Sequence, residues 1–175
     1  MLGYARRQPG SEAVTWIDGD ATAIEGAGDV DLVVSSGNTM MHLSPEAYPS
    51  VLSTLAEALR PGGVISFESR NPAARAWAHW NRSETYTERE IPSGHLREWL
   101  EVTEVNYGRV LFDAHNVFQD GREAIYTSVL YFRAADEITS DLERAGFGDI
   151  HVRGGWRSEP VAEHSSTLVL QAKKP

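Results

Sequence analysis

Cysteine is absent from all 175 residues. That excludes a disulfide framework, a thiolate metal site and a cysteine nucleophile. Long apolar runs are missing as well; none approaches the roughly 18 residues that a membrane-spanning helix needs. Met1 is not followed by the basic-then-apolar pattern of a signal peptide, so the expected location is the cytoplasm, with no membrane partner. The six histidines (His42, His79, His95, His115, His151, His164) show no HxH or HxxxH spacing, which argues against a metal site. Positive charge is scarce: 16 Lys and Arg stand against 25 Asp and Glu, a net charge of −9. Non-specific binding to nucleic acid needs the opposite balance. With 41% apolar and 23% charged residues, the chain reads as one globular domain, 1–175, with a core of its own and a small molecule as its expected ligand.

Hydrophobic period gives an alternating start. Residues 14–17 (Val-Thr-Trp-Ile) predict a short strand, and residues 31–36 (DLVVSS) a buried one suited to a parallel sheet. A helix follows over about 45–60. Ser44-Pro45-Glu46 supplies a capping hydroxyl, a proline where no N–H is missed and an acid at the positive dipole end. Pro49 is late for that start, so the first turn can lie a few residues on. Val51, Leu52, Leu55 and Leu59 share one face. Arg60-Pro61-Gly62-Gly63 predicts a helix stop and a tight turn, from which residues 64–68 (VISFE) emerge as the next strand.

From about residue 98 the pattern changes to three aromatic and β-branched runs, 99–107, 109–119 and 124–133, parted by short turns. Asp120-Gly121 is a hairpin signal. These runs predict an antiparallel meander over about 98–133, inserted in an α/β architecture. A helix over about 135–145 places Ile138, Leu142 and Ala145 on one face and stops at Gly146. Strands near 149–154 and 166–172 close the chain.

Four stretches resemble the class I S-adenosylmethionine-dependent methyltransferases. Residues 1–6 (MLGYAR) are similar to the helix after that family's second strand, and Asp18-Gly19-Asp20-Ala21 to the "GDA" after its third. Residues 31–43 (DLVVSSGNTMMHL) look like its fourth strand and the loop leaving it, and residues 59–63 (LRPGG) like the turn before its fifth. Residues 145–169 fit its last helix and closing strand pair. The resemblance implies a Rossmann-like fold with an antiparallel last strand, and S-adenosylmethionine as cofactor. It also puts the family's glycine-rich loop upstream of Met1. Gly26-Ala27-Gly28 is no substitute, since it precedes a strand instead of linking a strand to a helix. A βαβ unit, roughly 30 residues, is therefore expected to be missing, through a late start or a fragmentary chain, and activity to be impaired.

Methyl transfer from a sulfonium is an in-line displacement, so protein groups supply orientation, exclusion of water and sometimes a base. In open α/β sheets the ligand sits outside the carboxyl ends of the strands. By the resemblance, Asp20 accepts from the adenine amino group and Ala21 offers its backbone N–H; the alternative is a plain capping acid. Gly37 and Asn38 line the methionine end, glycine for close approach and asparagine for its amide; the alternative is an ordinary loop. Glu68 and Arg70 are expected to contact a polar substrate, or to pair with each other at the surface. Trp77, Trp80, Trp99, Tyr107 and Trp156 with His115 offer an aromatic pocket or plain core. Of these, Trp156 is placed with the substrate. No catalytic base stands out. His42 and His115 are the candidates, His42 competing with a partly buried packing role.

Two rival readings remain. One is a non-catalytic, self-associating homodimer that pairs an exposed sheet edge. The other, a nicotinamide-dependent oxidoreductase, does not need the meander or the antiparallel closing strand.

Overall fold

The computed structural model describes residues 2–24 and 29–175; Met1 and Gly26-Ala27-Gly28 lie outside the described residues. Two four-stranded sheets carry the fold. The first holds β1 (Val30–Ser35), β2 (Leu59–Arg70), β8 (Thr167–Lys173) and β7 (Gly148–Arg153), in that spatial order. β1 and β2 run parallel, and β8 is antiparallel to both of its neighbours, β2 and β7. The second sheet is an antiparallel meander of β3 (Thr87–Ile91), β4 (Gly94–Asn106), β5 (Arg109–Phe118) and β6 (Glu123–Tyr131).

Two helices cover one face of the first sheet. In α2 (Ala47–Ala58), Val51, Leu52 and Leu55 recur at helical spacing and are buried. The Ser44 hydroxyl accepts the Ala47 N–H at 3.3 Å, closing the amino end. In α4 (Ala135–Arg144), Ile138 and Leu142 are one turn apart and buried, and the Glu137 carboxylate accepts the Ala134 N–H at 2.7 Å. These side chains meet Ile65 and Phe67 of β2 and Leu168 and Leu170 of β8 in a single core cluster. Gly146, at φ +92°, ends α4 as expected.

The second sheet joins the first through aromatics. Met41, Trp80, Val110, Leu130 and Phe132 form a second buried cluster. Trp77 meets Phe132 edge-on at 4.4 Å, and Trp80 meets Phe112 at 5.0 Å. These tryptophans lie in the connection that follows β2, with short 3-10 turns at Pro72–Ala74 and Ala76–His79 and a one-turn helix α3 (Arg82–Thr85).

Three expectations need correction. Residues 14–17 are not a strand: they are irregular, with Val14 47% and Ile17 54% exposed. An extended run becomes a strand only with a ladder partner, and none pairs there among the described residues. β1 is not buried on both faces. It has one neighbour, β2, among the described residues, and Leu32 and Val34, pointing away from the helices, are 55% and 60% exposed. Arg60-Pro61-Gly62-Gly63 is not a separate turn but the bulged start of β2, where the β1 register shifts between Val30 and Leu32. Proline lacks a ladder donor and so sits at such irregularities. The bulge is stitched to the end of the chain: Gly62 N–H donates to the Lys174 carbonyl and Lys174 N–H to the Gly63 carbonyl, both at 2.9 Å. A Cβ on Gly63 would lie 2.9 Å from the carbonyl oxygens of Val30 and Arg60.

Two substitutions separate the covered face from the bare one. Leu170→Ala removes a fully buried side chain and is expected to cost about 2–5 kcal/mol. Leu32→Thr on the exposed face is expected to stay within roughly 0.5 kcal/mol of the parent. Urea unfolding of the two variants beside the parent chain measures both.

Candidate functional site

The carboxyl ends of β1 and β2 lie side by side, Ser35 paired with Phe67, and the candidate residues gather there. Beyond β1 the chain reverses through Gly37 (φ +73°) and Asn38 (φ +58°), both left-handed. Nothing lies within 4 Å of a Cβ placed on Gly37, so its glycine answers the backbone angle and not crowding. The reversal is pinned from below. Glu68, 8% exposed, accepts the Asn38 backbone N–H at 2.7 Å. The Thr39 hydroxyl adds a bond to the Ser36 carbonyl at 2.6 Å. The Asn38 side-chain amide makes no hydrogen bond among the described residues and is free to meet a ligand. Met40 and Met41, next in the chain, are buried, and the Arg70 N–H contacts the Met41 sulfur at 3.2 Å.

The surface pairing offered for Glu68 and Arg70 does not occur among the described residues. Glu68 is buried under the loop, and the Arg70 guanidinium lies 5.4 Å from the Trp80 ring centre. Cation and carboxylate have each found another partner, so the two do not form one polar contact. Asn71 ties the same edge to the last strand: its N–H donates to the Ser166 carbonyl at 3.1 Å and its side-chain amide to the Ala162 carbonyl at 3.3 Å.

Asp20 is exposed just before a short 3-10 turn, Ala21–Ala23. Ala21 packs against the main core cluster, which seats the turn against α2. Trp156 is 62% exposed and lines a cavity of about 190 Å³ with Ser66, His151 and Gln171, on the bare face of the first sheet. The aromatic residues do not converge on one pocket. Trp77 and Trp80 belong to the joint between the sheets, and Tyr107 is fully exposed at the β4–β5 turn.

The two candidate bases differ from expectation. His42 is exposed, not partly buried for packing, because the 3-10 turn Thr39–His42 directs Met40 and Met41 inward and leaves His42 outside. His115 is in mid-strand, its side chain 13% exposed, held by Glu101 at 2.9 Å and Glu123 at 3.3 Å. It stacks on Trp99 at 4.7 Å and 7°, across from the face that carries Val110. Both ring nitrogens are engaged, so His115 has none to spare for a substrate proton.

Sequence reasoning passed over another histidine. His79 Nδ1 meets the Glu84 carboxylate at 2.5 Å, in the connection just beyond β2. The five-residue spacing of the two is the only signal in the sequence. The hydrogen bond from His79, with a second from Asn81, holds the Glu84 carboxyl below its ordinary value. A carboxyl lowered in this way stabilises the fold above its unfolded-state value, near 4.5, and loses that contribution as pH falls through its folded value. Acidification below about pH 4.5 is therefore expected to loosen α3. Amide NMR signals of residues 81–86 should broaden or shift in the parent chain and stay fixed through that window in Glu84→Gln. At the loop, Glu68→Ala leaves the Asn38 N–H unsatisfied, an expected cost of about 1–3 kcal/mol. Faster amide exchange confined to residues 36–39 would show the loss.

Among the described residues no helix is long and apolar enough to cross a membrane, and no cluster of metal-binding side chains occurs. Residues 1–63 match the family pattern described as a methyltransferase domain. No curated protein matches the chain. Among solved structures, the CcbJ methyltransferase of Streptomyces caelestis superposes with a TM-score of 0.78 at 15% identity, over 99% of this chain and 73% of that one. An S-adenosylmethionine-dependent methyltransferase of Clostridium acetobutylicum gives 0.80 at 11% identity, over 99% and 70%. The glycopeptide N-methyltransferase MtfA, complexed with S-adenosyl-L-homocysteine, gives 0.59 at 19% identity, over 99% and 67%. The N-terminal pattern and the arrangement of the whole chain agree: this chain has the class I fold of the S-adenosylmethionine-dependent methyltransferases.

Proposed function

We propose that the chain serves methyl transfer from S-adenosylmethionine to a small molecule in the cytoplasm. The observation that supports this most is the left-handed Gly37-Asn38 loop, pinned by buried Glu68 at the carboxyl edge of a class I sheet. Ligands of open α/β sheets sit outside that edge. The residues there suit the cofactor's polar groups. Asp20 presents an exposed carboxylate to accept from an amino group, Ala21 its backbone N–H, and Asn38 a free amide at the methionine end. The bound cofactor supplies a methyl group on a positively charged sulfur. The chain's own part is orientation and exclusion of water. Glu68 keeps the loop in place, while Arg70, beside Trp80, is the group we assign to the substrate at this edge. In-line displacement needs mainly such placement, and no base is assigned to it.

A second reading, a non-catalytic homodimer, is supported by β1, whose outer edge is unpaired among the described residues and whose Leu32 and Val34 are exposed. Such edges invite pairing with another chain.

Isothermal titration of the chain with S-adenosylhomocysteine tests the primary reading. The chain is expected to bind, and Asp20→Asn to bind about tenfold more weakly, the worth of one charge-assisted hydrogen bond. Absence of binding, together with a stable dimer in sedimentation, would favour the second reading.

A further inference from the structure

A cavity away from that edge shares no lining residue with it. About 560 Å³ in volume, it is a cleft between the amino-terminal end of α2, one side of α4 and the β4–β5 turn, and Arg133 lines it. The guanidinium lies 3.9 Å from the ring centre of Tyr48 and 5.8 Å from that of Tyr131, and one Nη donates to the Leu43 carbonyl at 2.7 Å. A guanidinium has five N–H donors. Among the described residues that carbonyl is its only hydrogen-bond partner, and it forms no ion pair. Burial pulls its pKa below the usual arginine value, opposed by Tyr48 and then by the charges of Asp141 and Glu137. A half-buried cation without a carboxylate partner is unusual, since buried charges are normally paired.

Asp136, Glu137 and Asp141 line the cleft from one side of α4, with Arg144 beside them as the partner of Asp141. Each is engaged once within the helix and its cap. Glu137 accepts the Ala134 N–H, Asp136 accepts the Glu137 N–H, and Asp141 pairs with Arg144. An ionised carboxylate accepts about four hydrogen bonds, so capacity remains on this side for an incoming donor. The rest of the lining includes tyrosine rings and prolines. At the rim Tyr107 is fully exposed at φ +44°, a backbone angle rare for an aromatic residue. The turn that presents it is locked: the Phe132 N–H donates to the Gly108 carbonyl at 2.7 Å, and a Cβ on Gly108 would lie 2.7 Å from the Phe132 oxygen.

A guanidinium and carboxylates within electrostatic reach of each other share one cleft with apolar walls. A simple anion would meet repulsion from three carboxylates, and a simple cation would leave Arg133 unpaired. We propose that the cleft binds an amino-acid-like zwitterion with an apolar body, its carboxylate on the open edge of Arg133 and its ammonium on the acidic wall of α4. This goes beyond the methyl-transfer reading and does not depend on it.

L-phenylalanine is the probe, with phenylacetate and phenethylamine as its one-charge counterparts, titrated into the full 175-residue chain by ligand-observed and amide NMR. L-phenylalanine is expected to bind saturably, shifting signals of Tyr107, Gly108 and residues 133–141, and each counterpart to bind roughly tenfold more weakly. Arg133→Met should weaken L-phenylalanine and phenylacetate but not phenethylamine. Asp136→Asn, which keeps an acceptor oxygen for the Glu137 N–H, should weaken L-phenylalanine and phenethylamine but not phenylacetate. Absence of saturable binding to the parent chain overturns the proposal. So does equal binding of all three probes, or an affinity indifferent to both substitutions. S-adenosylhomocysteine titrated alongside separates the two readings: its affinity, where present, is expected to be unchanged in both variants.

Discussion

The pairing of β2 with β8 is the constraint on which the rest of the molecule depends. Seven consecutive pairs, from Val64 with Lys173 to Arg70 with Thr167, bring the two ends of the structured core together. The pairing aligns Ile65 and Phe67 with Leu168 and Leu170 on one face, all 1% exposed or less, and that strip is what α2 and α4 cover. It also reverses the sheet's direction, because β1 joins β2 in parallel while β8 joins it antiparallel. A side chain's face is set by the pleat, so a slip of one residue would send the whole apolar strip to the uncovered side. The bulge at Pro61-Gly62-Gly63, bonded to Lys174 on either side, fixes the register where the strand begins.

The same strand carries its order to the carboxyl edge. Glu68 follows Phe67, so its side chain emerges on the other face, beneath the loop after β1. Its hydrogen bond to Asn38 converts a pair of left-handed residues into a fixed reversal. Arg70, two residues on, turns to Trp80 and begins the aromatic joint with the meander. One strand therefore sets core, loop and joint together, and that is how sequence positions 38, 68 and 80 come to share one neighbourhood.

Much of the fold was legible because its signals are local. The meander announced itself in three alternating runs and the Asp120-Gly121 turn, and α4 in its apolar spacing and Gly146. The fourth strand, β3, escaped notice because Thr87–Ile91 is polar at nearly every position; its pairing with β4 makes it a strand, not its apolar pattern. Val14–Ile17 failed in the opposite way, a β-like run with no partner to pair with. At the candidate site, composition marked Gly37, Asn38 and Glu68 by their place after strands. It could not show that Glu68 meets the Asn38 backbone instead of Arg70, since both leave the same side of the strand and the choice depends on what the fold packs beside each.

The sequence by itself determined the alternation of helices and strands, the meander, the helix ends and the resemblance that suggested a cofactor. All of these rest on neighbours within a few residues, where period, capping and glycine angles act. Tertiary structure alone decided which ionisable groups found partners. His115 is held between Glu101 and Glu123, and His79 by Glu84. Arg133 is left beside two tyrosines in a cleft built from three distant segments. Partnering of charges depends on distances of a few ångströms across the fold, and a one-dimensional pattern carries no record of them.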